Sequence, residues 1–228
     1  MKLVSLAFKM AMMILLGLLM GACYADLVPQ KTPTFFDNNT ALVPNVHGEM
    51  VLHTIVDLTW EIDVPGAPYK INVTGPASKV VDYIDANYPD HVWPDVDELN
   101  ASSPGKVLQS PGPKLNCNVF GLTTYPLANR VRKSLASLGN YQFSLGKGPA
   151  TCAQVECSQD LQGRYGAIWW CNDGSSPAFT MAYDIAELAQ LIIPTCAEFA
   201  VPITYTRGQV FDQYRPWNVI VTGYERCR

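Results

Sequence analysis

The chain lacks any apolar run long enough to cross a membrane. Its most apolar stretch, residues 10–20, is shorter than the roughly 20 residues that a bilayer requires. Lys2 and Lys9 precede this stretch, and small residues follow it as far as Ala25. The pattern is typical of a secretory signal peptide cleaved after Ala25. We therefore expect residues 1–25 to be a signal peptide and the mature protein to be secreted and extracellular, without a membrane span.

A rival interpretation of the same segment is a bacterial lipoprotein signal. In that case Cys23 would carry the lipid. Met20 stands three positions before this cysteine, where it is a poor residue for such a signal. The secretory signal peptide is therefore preferred.

Positive charge is also scarce. The sequence has Lys+Arg 16 against Asp+Glu 20, for a net charge of −4 at pH 7. Loss of residues 1–25 removes Lys2 and Lys9 but no acid, which leaves 14 basic and 20 acidic residues, or −6. Sequence-independent binding to nucleic acid and adsorption to an anionic membrane both need clustered positive charge. The composition therefore argues against nucleic acid and the membrane surface as partners.

Metal-binding cysteine motifs are absent. No Cys-x-x-Cys pair occurs, and all three histidines lie in the half of the chain that has no mature cysteine. Six cysteines remain after removal of the signal, and an even number in a secreted chain predicts three disulfides, with no metal and no cofactor. The six could pair in 15 ways, although two of them lie too near in one strand to bond to each other. The six are Cys117, Cys152, Cys157, Cys171, Cys196 and Cys227, and the close pair is Cys152 and Cys157.

Recognised catalytic motifs are missing as well. There is no Gly-x-Ser-x-Gly elbow, and paired cysteines leave no thiol nucleophile. A ribonuclease could use His47, Glu49 and His53 on one strand face, but a polar strand face near a sheet edge is the preferred explanation. Carboxylates for a glycosidase are available only in a helix and a polar linker, where charge is normally solvated. These are Asp82, Asp85, Asp90, Asp95, Asp97 and Glu98. We predict a protein that is not an enzyme and keep a small secreted hydrolase as the alternative.

What the mature chain does contain falls into three regions. Residues 26–88 carry alternating strand patterns broken at residues 65–68, which predicts a β-hairpin, followed by one short amphipathic helix from Val80 to Tyr88. Residues 89–113 are rich in proline and predict a linker or a long surface loop. Residues 114–228 hold all six mature cysteines and predict a second, disulfide-stapled domain.

The cysteine-rich region predicts a β-α-β-β-α-β order. Pro126 and Gly139 bound the first helix, and Pro177 and Pro194 bound the second. Extended residues fill the segment from 203 to 214. The strands are expected at 116–120, 151–157, 167–171 and 217–224. The fold class is therefore α+β, an antiparallel sheet with two helices on one face and an amino-terminal hairpin and helix as an extension.

Two adjacent tryptophans stand in the central strand. Successive side chains of a strand point to opposite faces, so Trp169 and Trp170 cannot share a core. One belongs with the helices, and its neighbour faces the other side of the sheet. We expect the amino-terminal hairpin and helix to cover that side. An exposed aromatic binding surface and a dimer interface are the alternatives, with a monomer preferred.

Two further sets of residues are candidates for sites. Three Asn-x-Ser/Thr patterns predict N-glycosylation at Asn38, Asn72 and Asn100. Four polar residues flank the central strand and could bind a small ligand, although turns favour Asn and Asp for backbone reasons alone. These four are Asp160, Arg164, Asn172 and Asp173. Aromatic and arginine residues supply most binding hot spots. On that ground the predicted binding residues are Trp170, Arg207, Tyr214, Arg215 and Trp217.

The cysteine-rich region resembles small secreted proteins of filamentous fungi that are treated as candidate effectors. The resemblance rests on two motifs: Cys152-x4-Cys157, which follows a predicted helix, and Ala-Ile-Trp-Trp-Cys-Asn-Asp at residues 167–173, which precedes a predicted amphipathic helix. The element order is also similar to the α/β sandwich of killer toxins and necrosis-inducing effectors, over about residues 115–228. The resemblance implies a protein that promotes virulence or cell death by binding a host or competitor protein or a cell-surface ligand. The preceding mature residues have no counterpart in the small toxins.

Overall fold

The computed structural model describes residues 35–37, 39–65, 67–93, 112–223 and 226–228. All of them belong to one compact unit, residues 32–228. The expected signal peptide, Asn38, Asn100 and residues 94–111 of the expected linker lie outside the described residues. In the described part the fold is mixed α+β, consisting mostly of sheet, with three helices and three disulfides.

The three helices are α1 (Ala77–Asn87), α2 (Tyr125–Ser137) and α3 (Ala182–Thr195). The apolar spacing predicted the first two closely. The third begins later than Pro177, because residues 178–181 form a strand instead. Pro194 lies inside the last turn of α3 and does not end the helix before it.

Eight strands form the central sheet. They are β1 (Phe35–Asp37), β2 (Thr40–Pro44), β3 (Met50–Ile55), β6 (Lys114–Cys117), β9 (Thr151–Gln159), β10 (Tyr165–Asn172), β14 (Gly208–Phe211) and β15 (Trp217–Thr222). Their order across the sheet is β1-β2-β3-β9-β10-β15-β14-β6. Neighbours are antiparallel except β3 and β9, which pair in parallel at Thr54 with Thr151 and at Ile55 with Cys152.

Two smaller sheets complete the strand content. Their strands are β4 (Thr59–Ile62), β5 (Ile71–Thr74), β7 (Thr123–Thr124), β8 (Gln142–Leu145), β11 (Ala178–Met181), β12 (Ala197–Ala200) and β13 (Ile203–Thr206). One sheet has the order β11-β8-β4-β5 and the other the order β12-β13-β7. The six-element order expected for residues 114–228 is therefore incomplete, since further short strands interrupt it and β14 separates β15 from β6.

Trp170 lies on the face of the central sheet that the helices cover. It is fully buried and meets Phe143 and Trp217 edge-on, with ring centroids 5.2 and 5.5 Å apart. The same core takes the apolar faces of all three helices and of the β4–β5 pair, including Trp60 and Ile84. The amino-terminal hairpin and helix of residues 26–88 were expected to cover the opposite face of the sheet. The helix and the β4–β5 pair do not, because their apolar side chains join the helical core.

Trp169 points to the opposite face and is also buried. The β2–β3 hairpin folds across this face, where Ala41, Val43 and Ile55 join its core. In a flat sheet β2 and β14 would stand about 24 Å apart, five strand spacings. Gln209 of β14 nevertheless donates a hydrogen bond from Nε2 to the Pro44 carbonyl at 2.9 Å. The sheet is therefore strongly curled, and its own edge covers the second core.

A β-bulge in β9 decides where two of the disulfides lie. Cys152 and Cys157 are five residues apart, so regular alternation would place them on opposite faces. The register against β10 shifts between Ile168 and Trp169, which puts an extra residue into β9 and brings both cysteines to the Trp169 face. Both bonds on this face, Cys152–Cys171 and Cys157–Cys227, follow from that shift. The third bond joins Cys117 to Cys196.

The disulfides give the first testable prediction. A peptide map under non-reducing conditions should contain Cys117–Cys196, Cys152–Cys171 and Cys157–Cys227. Alanine replacement of the Cys157–Cys227 pair, which closes 70 residues, should lower the free energy of unfolding by about 4 kcal/mol. The Cys152–Cys171 pair closes only 19 residues and should cost about 3 kcal/mol by the same entropy argument. A free thiol or a Cys152–Cys157 bond would contradict the structure.

Candidate functional site

Two of the predicted binding residues lie inside the protein. Trp170 is completely buried, and Trp217 is 3% exposed and packs against it. Neither side chain can contact a partner at the surface without unfolding the helical core. The binding role predicted for Trp170 and Trp217 is therefore wrong, and both are core residues.

The two predicted arginines are engaged within the chain. Arg207 donates to the Glu198 carboxylate at 3.1 Å and to the Phe120 carbonyl at 3.2 Å. Arg215 is held by Asp212 at 2.9 Å and by Asp184 at 3.3 Å. Its guanidinium also lies 4.2 Å from the centroid of the Trp217 ring, a cation–π contact. Both arginines thus brace loops, and of the five predicted residues Tyr214 alone is well exposed.

The histidine set considered for catalysis does not assemble. His47 and Glu49 are exposed in the turn between β2 and β3, whereas His53 is buried within β3. The His53 ring faces the Val51 carbonyl at 2.9 Å through Nδ1 and the Asp173 carboxylate at 3.1 Å through Nε2. Both ring nitrogens are therefore engaged by groups of the chain, and neither is free for a substrate.

Asp173 continues this network across the sheet. Its second oxygen accepts from Asn218 Nδ2 at 2.8 Å, and Asn218 in turn accepts from Gln209 at 2.9 Å. Gln209 also holds the Pro44 carbonyl. The chain of hydrogen bonds fastens the β2–β3 hairpin to the sheet, so we assign His53 and Asp173 a structural role.

Glu156 is a second buried ionisable group. It lies in β9, 2% exposed, and accepts from the Cys157 amide at 2.8 Å and from Ser134 at 3.4 Å. Burial raises the pKa of Glu156 to about 7, against the opposing effect of these hydrogen bonds and one from the Ser78 amide. Glu156 is not part of the lining of either of the two surface hollows at Tyr141 and at the start of α2.

A groove at the surface is open to solvent, unlike the buried groups His53 and Glu156. We call it the α2 groove. It has a volume of about 440 Å³ and lies between the first turns of α2, the β9–β10 turn and the β12–β13 hairpin. Gly166 allows α2 to approach β10 here, because a Cβ at that position would stand 2.8 Å from Leu127 Cγ and 2.9 Å from Thr123 Oγ1. The walls include Tyr125, Leu127 and Ile203, which are apolar or aromatic.

The β9–β10 turn forms one rim of the α2 groove. Asp160 Oδ1 accepts from the amides of Gln162 and Arg164, both at 2.9 Å, and Asp160 Oδ2 accepts from Arg164 Nε at 2.7 Å. Burial works to raise the pKa of Asp160, but these hydrogen bonds prevail and hold it below its usual value. Gly163 takes the positive φ of 79° that closes the turn. The turn is thus rigid, and it carries Leu161 fully exposed at 101%.

The β12–β13 hairpin forms the facing rim. Its two-residue turn consists of Val201 and Pro202, and Val201 is 100% exposed. Phe199 is the cross-strand partner of Thr204, which lines the groove, and Phe199 is 86% exposed. Cross-strand partners project from the same face of a hairpin. The α2 groove therefore lies beside three large apolar side chains that have no cover in the described structure.

The hairpin that carries these residues is firmly held. Cys196 precedes β12 and is bonded to Cys117 of β6. Thr206 donates from its hydroxyl to the Ile193 carbonyl at 3.0 Å, and the Arg207–Glu198 pair ties the two strands together. A rigid scaffold that presents apolar side chains to solvent lowers the entropy cost of binding.

Sequence reasoning missed Leu161, Phe199 and Val201. One signal could have identified Leu161, because the segment Asp-Leu-Gln-Gly at 160–163 places a large apolar residue in a turn where polar residues are usual. Phe199 and Val201 gave no such signal, since a strand rich in apolar residues equally predicts burial.

Two remaining expectations concern the surface. Asn72 is exposed on β5, where a glycan has access to it. Among the described residues no helix combines the length and the apolar character that crossing a membrane requires.

Comparison with known proteins identifies no relative. No family model matches the chain, and neither the curated proteins nor the solved structures contain a match. Function is therefore inferred from the geometry of the α2 groove and its rims.

Glu156 predicts a specific pH dependence. Because its pKa is about 7 in the folded state and 4.5 is its usual value, the unfolded chain loses this proton first as pH rises. The free energy of unfolding should fall by about 3 kcal/mol between pH 4.5 and pH 8 through this group. Glu156→Gln should remove that fall in urea titrations, while Asp90→Asn, at an exposed carboxylate, should keep it. Parallel pH profiles for wild type and Glu156→Gln would show that burial does not perturb the group.

Alanine substitutions at Arg215 and at Tyr214 should differ in their effect on the free energy of unfolding. Arg215→Ala removes two ion pairs and the contact with Trp217, so it should lower the free energy of unfolding by about 1–2 kcal/mol. Tyr214→Ala, in the same loop but exposed, should change it by less than about 0.5 kcal/mol. Equal effects in chemical denaturation would contradict the bracing role of Arg215.

Proposed function

We propose that this chain is a secreted protein that acts by binding a protein of a host or competitor through the α2 groove and its rims. The observation that carries the proposal is the uncovered apolar set Leu161, Phe199 and Val201 beside a groove of about 440 Å³. Exposed apolar side chains are common singly, but a group at one groove is typical of an interaction site.

The rest of the molecule supports binding in preference to turnover. The described residues bring no nucleophile, acid and base together, since His53 and Asp173 are occupied by structural hydrogen bonds. The paired acids Glu61 and Asp63 line a hollow of only about 180 Å³, where Glu61 already pairs with Lys70. The three disulfides are compatible with an extracellular protein.

The biological class that we propose is a fungal effector that promotes virulence or cell death. The motif at residues 167–173 and the placement of α2 and α3 against one face of the central sheet support this class and its likeness to the killer-toxin sandwich. A small secreted hydrolase is the competing function, and the experiment below is arranged to detect it.

The test compares two rim substitutions with a matched control. Leu161→Asp combined with Val201→Asp should abolish binding of the labelled protein to its target cells, because each buried apolar side chain is worth about 1.5–3 kcal/mol, or at least tenfold in affinity. Val92→Asp is the control, because Val92 is also well exposed, at 86%, but lies away from the groove. Its neighbour His91 contacts Tyr141, which follows the carboxyl end of α2. All three proteins should unfold at the same urea concentration.

The measurements are binding to leaf cells and to fungal cells, the cell-death response after infiltration into leaf tissue, and turnover of RNA, glycans and casein. We expect binding or cell death with the wild type and the control, loss of both with the double variant, and no turnover. Turnover by the purified wild type would support the hydrolase. A wild type that binds neither cell surface, or a double variant that acts like the wild type, would overturn the proposal.

A further inference from the structure

We infer that the α2 groove accepts an extended peptide segment of the partner protein in which an acidic residue stands close to an apolar one. The inference rests on the proposed function and specifies the chemistry of the partner. Two observations carry it: an arginine in the groove that lacks an ion pair, and the exposed apolar side chains on both rims.

The unpaired arginine is Arg130. It lies on α2, lines the groove and is exposed, and it makes no ion pair among the described residues. The other arginines near the surface of this region differ, because Arg164, Arg207 and Arg215 each hold a carboxylate of the chain. Arg130 is thus a guanidinium with its hydrogen-bond donors available to a ligand.

The charge of the α2 groove is opposite to that of the whole protein. Its lining contains Arg130, Arg164 and one acid, Asp160, which is already bonded to Arg164. The groove therefore carries a net charge of +1, while the chain as a whole carries −4. A carboxylate of the partner would find its complement at Arg130, and charge-assisted hydrogen bonds of this kind are among the stronger ones.

The apolar components distinguish a peptide from other anionic ligands. Nucleic acids and polysulfated glycans need several free cations in a row, whereas the groove lining provides one. Leu161 and Val201 instead offer aliphatic surface on opposite rims, and Tyr125, Leu127 and Ile203 continue it between them. An open cleft with apolar walls and one cation suits an extended chain that places an aliphatic or aromatic side chain beside an Asp or Glu.

The experiment selects ligands from random sequences, so the target need not be identified first. A phage-displayed library of random 12-residue peptides is panned against the immobilised full-length protein, and a synthetic form of the most enriched peptide is titrated by calorimetry. The selected sequences should contain an Asp or Glu within a few residues of a large apolar residue. Affinity for the wild type should fall as salt is raised, because an exposed charge pair is screened.

Variants at Arg130 identify the groove as the site. Arg130→Glu should weaken binding of the selected peptide at least tenfold and remove its salt dependence, while Arg130→Lys should retain most of the affinity. Lys70→Glu is the matched charge reversal, since Lys70 lines the hollow beside Tyr141 beyond the far end of α2, and it should bind like the wild type.

The outcomes separate this inference from the proposed function. Selected peptides without acidic residues, equal affinity of Arg130→Glu and wild type, or dimerisation of the wild type through the groove would each overturn the acidic-peptide inference. The same holds if no peptide is enriched while Leu161→Asp with Val201→Asp abolishes cell binding, a result that leaves the proposed function standing. If the double variant loses neither cell binding nor peptide binding, both proposals fall.

Discussion

The whole structure depends on one strand, β10, that is buried on both faces. Trp169 and Trp170 are adjacent and each must be removed from water, so the chain has to supply two separate cores around a single sheet. The helices and the β4–β5 pair supply one core. In the part of the chain that the structure describes, the second core is covered by the β2–β3 hairpin, because the sheet curls over Trp169. The hydrogen bonds of Gln209, Asn218, Asp173 and His53 hold that cover in place.

The burial of β10 also explains why the α2 groove lies beside the β9–β10 turn. Within the described residues, β9 and β10 are buried except near the turn that joins them. The β9–β10 turn and the β12–β13 hairpin project there, each fixed by its own bonds: the Asp160–Arg164 pair in one case and the Cys117–Cys196 disulfide in the other. Leu161 and Val201 are fully exposed in these positions. Under the proposed function, these side chains contact the partner protein.

The sequence predicted the local elements well where one periodicity dominated. α2 follows from Pro126 and its apolar spacing, and the opposed tryptophans follow from strand alternation. It failed where a single residue changes the geometry. The bulge in β9 moves Cys157 to the face of Cys152, and no residue type announces it. Hot-spot composition does not reveal burial, so it assigned Trp217 to a binding surface, whereas Trp217 lies in the core with Arg215 stacked on it.

The parallel junction between β3 and β9 has a consequence for the folding rate. It pairs Thr54 with Thr151, residues about a hundred positions apart, and consists of two residue pairs only. Closing so long a loop costs entropy, and two residue pairs return little energy for it. We therefore expect this contact to form after the local β9–β10 hairpin and its Cys152–Cys171 bond. The β2–β3 cover should thus dock last. Because the β2–β3 hairpin is the cover of Trp169, we expect the rate of this docking to set how long the newly made chain exposes that apolar side chain.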